Sequence, residues 1–193
     1  MRIAFYYIGT ISMMLLPNLV FSQQSQHAAY HLKGQFAGDI GFLSAGIGRS
    51  FFEERLETDI FFGYLPESIG GVQVVTTAIK ASYVPFSPVK TAVMEWQALK
   101  TGWQLSYTFG KDYFAKEPRD RYPKSYYGFS TALHLYFFLG GQVDFGRVHK
   151  TKRFGFYYEA GATGEYIISY VSNPDYLSLN KIFNLALGIR YAL

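Results

Sequence analysis

The chain of 193 residues contains no cysteine. That excludes a disulfide framework and thiolate metal sites, so packing and hydrogen bonds alone must hold the fold. Tryptophan is scarce, at 2 residues, and the 4 histidines are scattered as His27, His31, His134 and His149. His27 and His31 have ligand spacing only if that stretch is helical, so no metal and no other cofactor is expected. A phosphate-binding loop of the Gly-rich Lys-Ser/Thr type is missing, because Gly46-Ile47-Gly48-Arg49 reads as a strand with small alternate residues. Proline and serine gather in no linker, which points to one domain. Excess charge is small too: the net value is +4, or +3 once Arg2 is set aside, too mild to imply nucleic acid as a partner.

A long apolar run occurs at the start of the chain. Arg2 supplies one basic charge, the run to Val20 is mostly apolar, and Val20-Phe21-Ser22 leaves a small residue before Gln23. Residues 1–22 therefore read as a cleaved secretory signal, and 23–193 as one domain. Gly9 and Pro17 interrupt the run, which is short for a bilayer-spanning helix.

What the chain does have is aromatic side chains, 17 Tyr and 18 Phe, set in alternating segments. In Gly102 to Phe109, Trp103, Leu105, Tyr107 and Phe109 fall on one side, and Gly102, Gln104, Ser106 and Thr108 on the other. Successive strand residues point to opposite faces, so this is a strand with one bulky apolar face and one small polar face. The pattern recurs. Tyr30 to Phe36 makes a weaker first strand, followed by Leu43 to Phe51, Leu56 to Tyr64, Val72 to Val84, about Trp96 to Phe109, Tyr126 to about Phe145, Phe154 to Val171, and a last strand from Phe183. When apolar faces meet no second sheet, lipid is the environment they fit. The expected fold class is all-β, an eight-stranded antiparallel transmembrane barrel of the outer membrane with a filled lumen. With both termini on the periplasmic side, as in bacterial single-chain barrels, the strand count must be even, and counting back from the C-terminus then puts the loops near 37–39, 66–71, 110–125 and 172–178 outside the cell. Tyr64, Tyr83, Trp103 and Tyr191 are expected at the interfacial belts.

Several segments carry a family resemblance. Lys33-Gly34-Gln35-Phe36-Ala37-Gly38, Gly63-Tyr64-Leu65-Pro66-Glu67-Ser68-Ile69-Gly70-Gly71, Ser106-Tyr107-Thr108-Phe109-Gly110 and the ending Leu187-Gly188-Ile189-Arg190-Tyr191-Ala192-Leu193 resemble the small, uncharacterised outer-membrane β-barrel proteins of Bacteroidetes-type bacteria. The likeness spans nearly the whole chain after the signal. It implies a fold and a compartment, and it carries no catalytic residues.

The interior is expected to hold Arg49, Glu57, Asp59, Lys80, Lys100, His134, Glu159, Glu165 and Arg190. Charges of both signs fit a mutually paired plug, because a buried charge persists only when paired or hydrogen-bonded. The enzymatic alternative makes His134 and Glu159 the candidate catalytic pair of a lipid A or phospholipid acyl hydrolase or acyltransferase. Lipid A deacylases place a Ser two positions after their His, and none of the four histidines here has one; the Asp-Ser pair of the palmitoyltransferases is also missing. A soluble barrel holding a small hydrophobe would need an apolar interior. The leading expectation is thus a structural or interaction protein. Its partners are expected to be outer-membrane lipid, lipopolysaccharide or another surface protein, met through the loop bearing Tyr113, Phe114, Arg119, Arg121 and Tyr122.

Overall fold

The computed structural model describes residues 30–123, 126, 128–145, 154–173 and 178–193. The expected signal at 1–22, Lys124, Ser125 and the basic turn at 147–153 lie outside the described residues. The strands are β1 (Tyr30–Ala37), β2 (Leu43–Phe51), β3 (Leu56–Leu65), β4 (Val74–Tyr83), the two-residue β5 (Val89–Lys90), β6 (Glu95–Phe109), β7 (Leu133–Asp144), β8 (Phe154–Thr163) and β9 (Asn184–Ala192). Short helices α1 (Glu67–Gly70), α2 (Gly164–Ser172) and α3 (Leu179–Ile182) lie between them.

The eight long strands pair antiparallel in chain order, β9 returns to β1, and β4 pairs with β6. The sheet is therefore a closed barrel. The first strand is a full member, hydrogen-bonded to β2 on one side and β9 on the other. β5 adds only Val89 and Lys90 against the start of β6. Followed once around, the register returns to β1 displaced by roughly ten residues, a stagger that tilts the strands against the barrel axis.

Alternation decides what each side of the wall carries. Leu32, Ile47, Ile60, Ile79, Leu105 and Leu135 form one row of cross-strand partners, and all six are exposed on the outside. Nearer the end where β1 starts, the outward positions are aromatic: Tyr30, Phe51, Tyr83, Trp96, Phe154 and Tyr191. Inside, large side chains face small cross-strand partners. Asp59 lies opposite Gly48, Glu159 opposite Gly140 and Ala186, and Tyr157 opposite Gly188.

Two segments expected to be strand are not. The strand expected from Phe154 to Val171 ends at Thr163 and gives way to α2, because from Gly164 onward alternation yields to an Ile167, Ile168, Val171 stripe at helical spacing. The strand expected from Tyr126 begins only at Leu133. The preceding loop doubles back, with Phe114 N donating to Thr131 Oγ1 at 2.9 Å and Ala132 N to Phe114 O at 3.2 Å.

Connections 38–42 and 66–73 and the described parts of 110–132 and 164–183 gather at one end, called here the loop end, while turns 52–55 and 84–94 share the other with both strand termini. Loop 38–42 folds into the barrel mouth, where Ile40 packs on Phe61 and Ala78. A Cβ at Gly63 would overlap Ile40, so glycine is required there. Gly48 is equally constrained, since a Cβ would overlap the Asp59 carboxylate and His31. Gly48→Ala should therefore lower stability by about 1–3 kcal/mol through overpacking, read as a lower urea midpoint of the refolded barrel in detergent micelles. An unchanged midpoint would mean that this packing has slack.

Candidate functional site

The barrel interior divides into a charged plug and, above it, an open chamber at the loop end. In the plug, inward positions of β1, β3, β4, β6, β8 and β9 bring Lys33, Glu57, Asp59, Lys80, Lys100, Glu159 and Arg190 out of water. Lys33 Nζ donates to Glu57 Oε2 and Asp59 Oδ2, both at 2.8 Å. Glu57 Oε2 also accepts from Lys100, whose Nζ donates to Gln142 Oε1 at 3.0 Å. Arg190 Nε lies 3.3 Å from Glu57 Oε1, an ion pair whose atoms are not aligned for a hydrogen bond. Toward the loop end, Lys80 Nζ donates to Glu159 Oε2 at 2.6 Å and to Gln35 Oε1 at 3.0 Å. Each buried charge thus faces its opposite within ion-pair distance, the arrangement that offsets desolvation.

Six of the expected lumen charges, Glu57, Asp59, Lys80, Lys100, Glu159 and Arg190, are in this plug. Arg49 is not. It shares the parity of Ile47 and Phe51, so its side chain is exposed on the outer face, over the rings of Tyr30 and Phe51. Lys33 and His31, which are not among the expected lumen residues, are buried in the plug as well. Their signal was present in the alternation of Tyr30 to Phe36, which puts both on the small polar face. Glu165 lies above the plug, on the first turn of α2.

Two constellations in the plug have the composition of reactive sites. His31, Glu57 and Asp59 offer ligand atoms within 4.8 Å of one another. The Lys33 ammonium already bridges both carboxylates, and a cation would have to displace it. Ser50 Oγ lies 3.3 Å from His31 Nδ1, and His31 Nε2 lies 2.7 Å from Asp59 Oδ1. Arg190 Nη2 donates to the same Ser50 Oγ at 3.1 Å, and Ser50 is only 3% exposed, so no substrate reaches the hydroxyl. A His31 tautomer with its proton on Nε2 satisfies the whole chain from Arg190 through Ser50 to Asp59.

The chamber is a cleft of about 610 Å³ lined in part by Asp39, Thr76, Thr108, Tyr113, His134, Glu165 and Tyr166. Gln104 Nε2 and Ser106 Oγ each donate to Asp39 Oδ2 at 3.2 Å, tying loop 38–42 to β6 across the mouth. His134 is half-buried here, and the carboxylate beside it is that of Glu165, 3.3 Å from Nδ1, while Glu159 is held by Lys80. The candidate catalytic pair is therefore not brought together. His134 Nε2 donates to Thr131 O at 3.1 Å, leaving Nδ1 facing a carboxylate and not a hydroxyl. Among the described residues, no hydroxyl is hydrogen-bonded to the His134 ring.

In the long loop, Arg119 and Arg121 are exposed, whereas Tyr113, Phe114 and Tyr122 are half-buried. Phe114 and Tyr122 pack with tilted rings 5.9 Å apart, and Tyr122 stacks on Tyr126 at 5.4 Å. The aromatics thus pack together and leave the arginines exposed.

No protein-family model matches this chain, and no curated protein matches it. A solved structure similar to it is the outer membrane protein Ail of Yersinia pestis, a backbone structure in a phospholipid bilayer nanodisc. The two are 9% identical, the match covers 86% of this chain and 99% of Ail, and the TM-score is 0.39. The barrel architecture described above rests on this chain's own strand pairing.

Two outcomes follow. Lys80→Met strands Glu159 as an unpaired buried charge and should cost about 3–5 kcal/mol, most of it recovered when Glu159→Gln is added; urea unfolding of both variants checks this. Burial raises the Asp39 carboxyl above its ordinary range, with His134 and the Ser106 hydrogen bond acting against it. A folded state that holds the proton more tightly is favoured at low pH and loses that contribution as pH rises through the raised value. Asp39→Asn should then be more stable than the parent at pH 7, the two converging below about pH 4, where both side chains are neutral.

Proposed function

We propose that this chain is an outer-membrane barrel that acts without catalysis, as a structural and interaction protein meeting lipopolysaccharide or another surface protein through its loop end. The observation that carries the reading is the outward face of the closed wall. Leucine, isoleucine and phenylalanine side chains surround the barrel at half exposure while the interior is already full of its own side chains. So wide an apolar surface in water would drive association, whereas in hydrocarbon it is satisfied. The aromatic ring formed by Tyr30, Tyr83, Trp96 and Tyr191 suits headgroup depth. The paired, buried charges of the plug support a barrel without a through-channel.

The loop end supplies the contact surface. Arg119 and Arg121 are solvent-facing cations on a loop where Phe114, Tyr122 and Tyr126 pack together, and they match phosphate groups. Export by the signal at 1–22 belongs to the same reading, in which loop 110–132 faces outward from the cell.

The test has two measurements. Membranes washed with sodium carbonate should retain the protein in the outer-membrane fraction; recovery in the soluble fraction would overturn the placement. Mass spectrometry of the outer-membrane lipids should show the same acylation with and without the protein, and also with His134→Ala. Loss or gain of one acyl chain would make the protein an enzyme and sink the interaction reading.

A further inference from the structure

We propose that Arg49 holds the phosphate of one phospholipid whose acyl chain lies in the shallow groove beside it; this rests on the membrane placement proposed above. Along the outward faces of the eight long strands, Arg49 is the one cation among the described residues. A charged side chain on a lipid-facing wall is unfavourable unless it finds a partner or reaches the interface. Arg49 has no carboxylate partner among the described residues. Its guanidinium carbon stands 5.5 Å from the Tyr30 ring centroid and 5.0 Å from that of Phe51. Two ring faces steady the group by cation–π attraction and leave its N–H donors for an acceptor that the protein does not supply.

The position decides which acceptor. Arg49 sits two residues from the end of β2, paired across the strands with Tyr30 and Thr58. That is the level of the aromatic ring at the turn end, where a headgroup phosphate is within reach of a snorkelling arginine. The planar guanidinium matches two phosphate oxygens at once. A groove of about 410 Å³ adjoins it, lined in part by Tyr30, Thr58, Ile47, Ile60 and Ile79. Its three isoleucines belong to the outward aliphatic row, so the groove runs from the headgroup level toward the waist of the barrel, the course an acyl chain takes. Long loops at the opposite end place this end on the periplasmic side, so the lipid is a phospholipid and not lipopolysaccharide.

The test is native mass spectrometry of the full-length protein purified from outer membranes, with dioleoyl phosphatidylglycerol or phosphate-free dioleoylglycerol added. The parent should retain one phosphatidylglycerol and no dioleoylglycerol. Arg49→Gln should retain about tenfold less, the effect of one charge-assisted contact, with Arg49→Lys intermediate. Ile60→Trp fills the groove with Arg49 in place and should also reduce retention; it keeps the proposal testable if Arg49→Gln fails to give the folded, heat-shifted gel band. Equal retention by folded Arg49→Gln, or by Ile60→Trp, would overturn the site, as would displacement of the lipid by inorganic phosphate, the mark of a bare anion pocket. Protein found in the soluble fraction would refute the membrane placement itself, a distinct result.

Discussion

A carboxylate removed from water must be surrounded by cations, and in this barrel Glu57 is that carboxylate. Lys33, Lys100 and Arg190 converge on it from β1, β6 and β9. Those strands lie far apart in the chain and meet around the lumen only because the sheet closes. The dependence runs both ways: the closed wall excludes water from the charges, and the charges fasten opposite sides of the wall together. Removing one partner from such a set leaves the others buried and unpaired, so the plug behaves as a unit.

Space for these long side chains comes from the small residues across from them. With Gly48, Gly140 and Gly188 carrying no side chain, Asp59, Glu159 and Tyr157 can lie flat across the interior. The stagger of the strands offsets the inward residues from strand to strand, which lets Lys80 reach Glu159 over the body of the barrel. The interior is thus filled by charge and amide groups, and the apolar content of the chain is turned outward. That inversion of a soluble protein is the physical basis of the proposed placement in lipid.

The two ends serve different ends of the same logic. At the turn end, the tight β2–β3 connection puts Phe52, Glu53 and Glu54 at positive φ, and Glu54 comes within 3.7 Å of Arg190. At the loop end, loop 38–42 bends inward, Ile40 stoppers the plug and Asp39 is tied to β6. The cleft above it is then walled by elements from three connections and open outward, a place where side-chain chemistry meets the surroundings without reaching the plug.

Alternation by itself determined the eight strands, the closed wall and most of the lumen set, because in a strand the face of a residue follows from its parity. The same rule places Arg49 outside and His31 and Lys33 inside, so that information was present in the chain, although the charge of Arg49 pointed the other way. Other features were not legible. The helical stripe of Ile167, Ile168 and Val171 lies in the chain itself, but nothing local says that α2 folds beside β7 and β8 and sets Glu165 against His134, and nothing marks Asp39 and Ile40 as a loop that turns inward. Pairings such as Lys80 with Glu159 join residues seventy-nine positions apart. Which cation meets which carboxylate depends on strand closure and stagger, which are properties of the whole sheet; only the tertiary structure decided them.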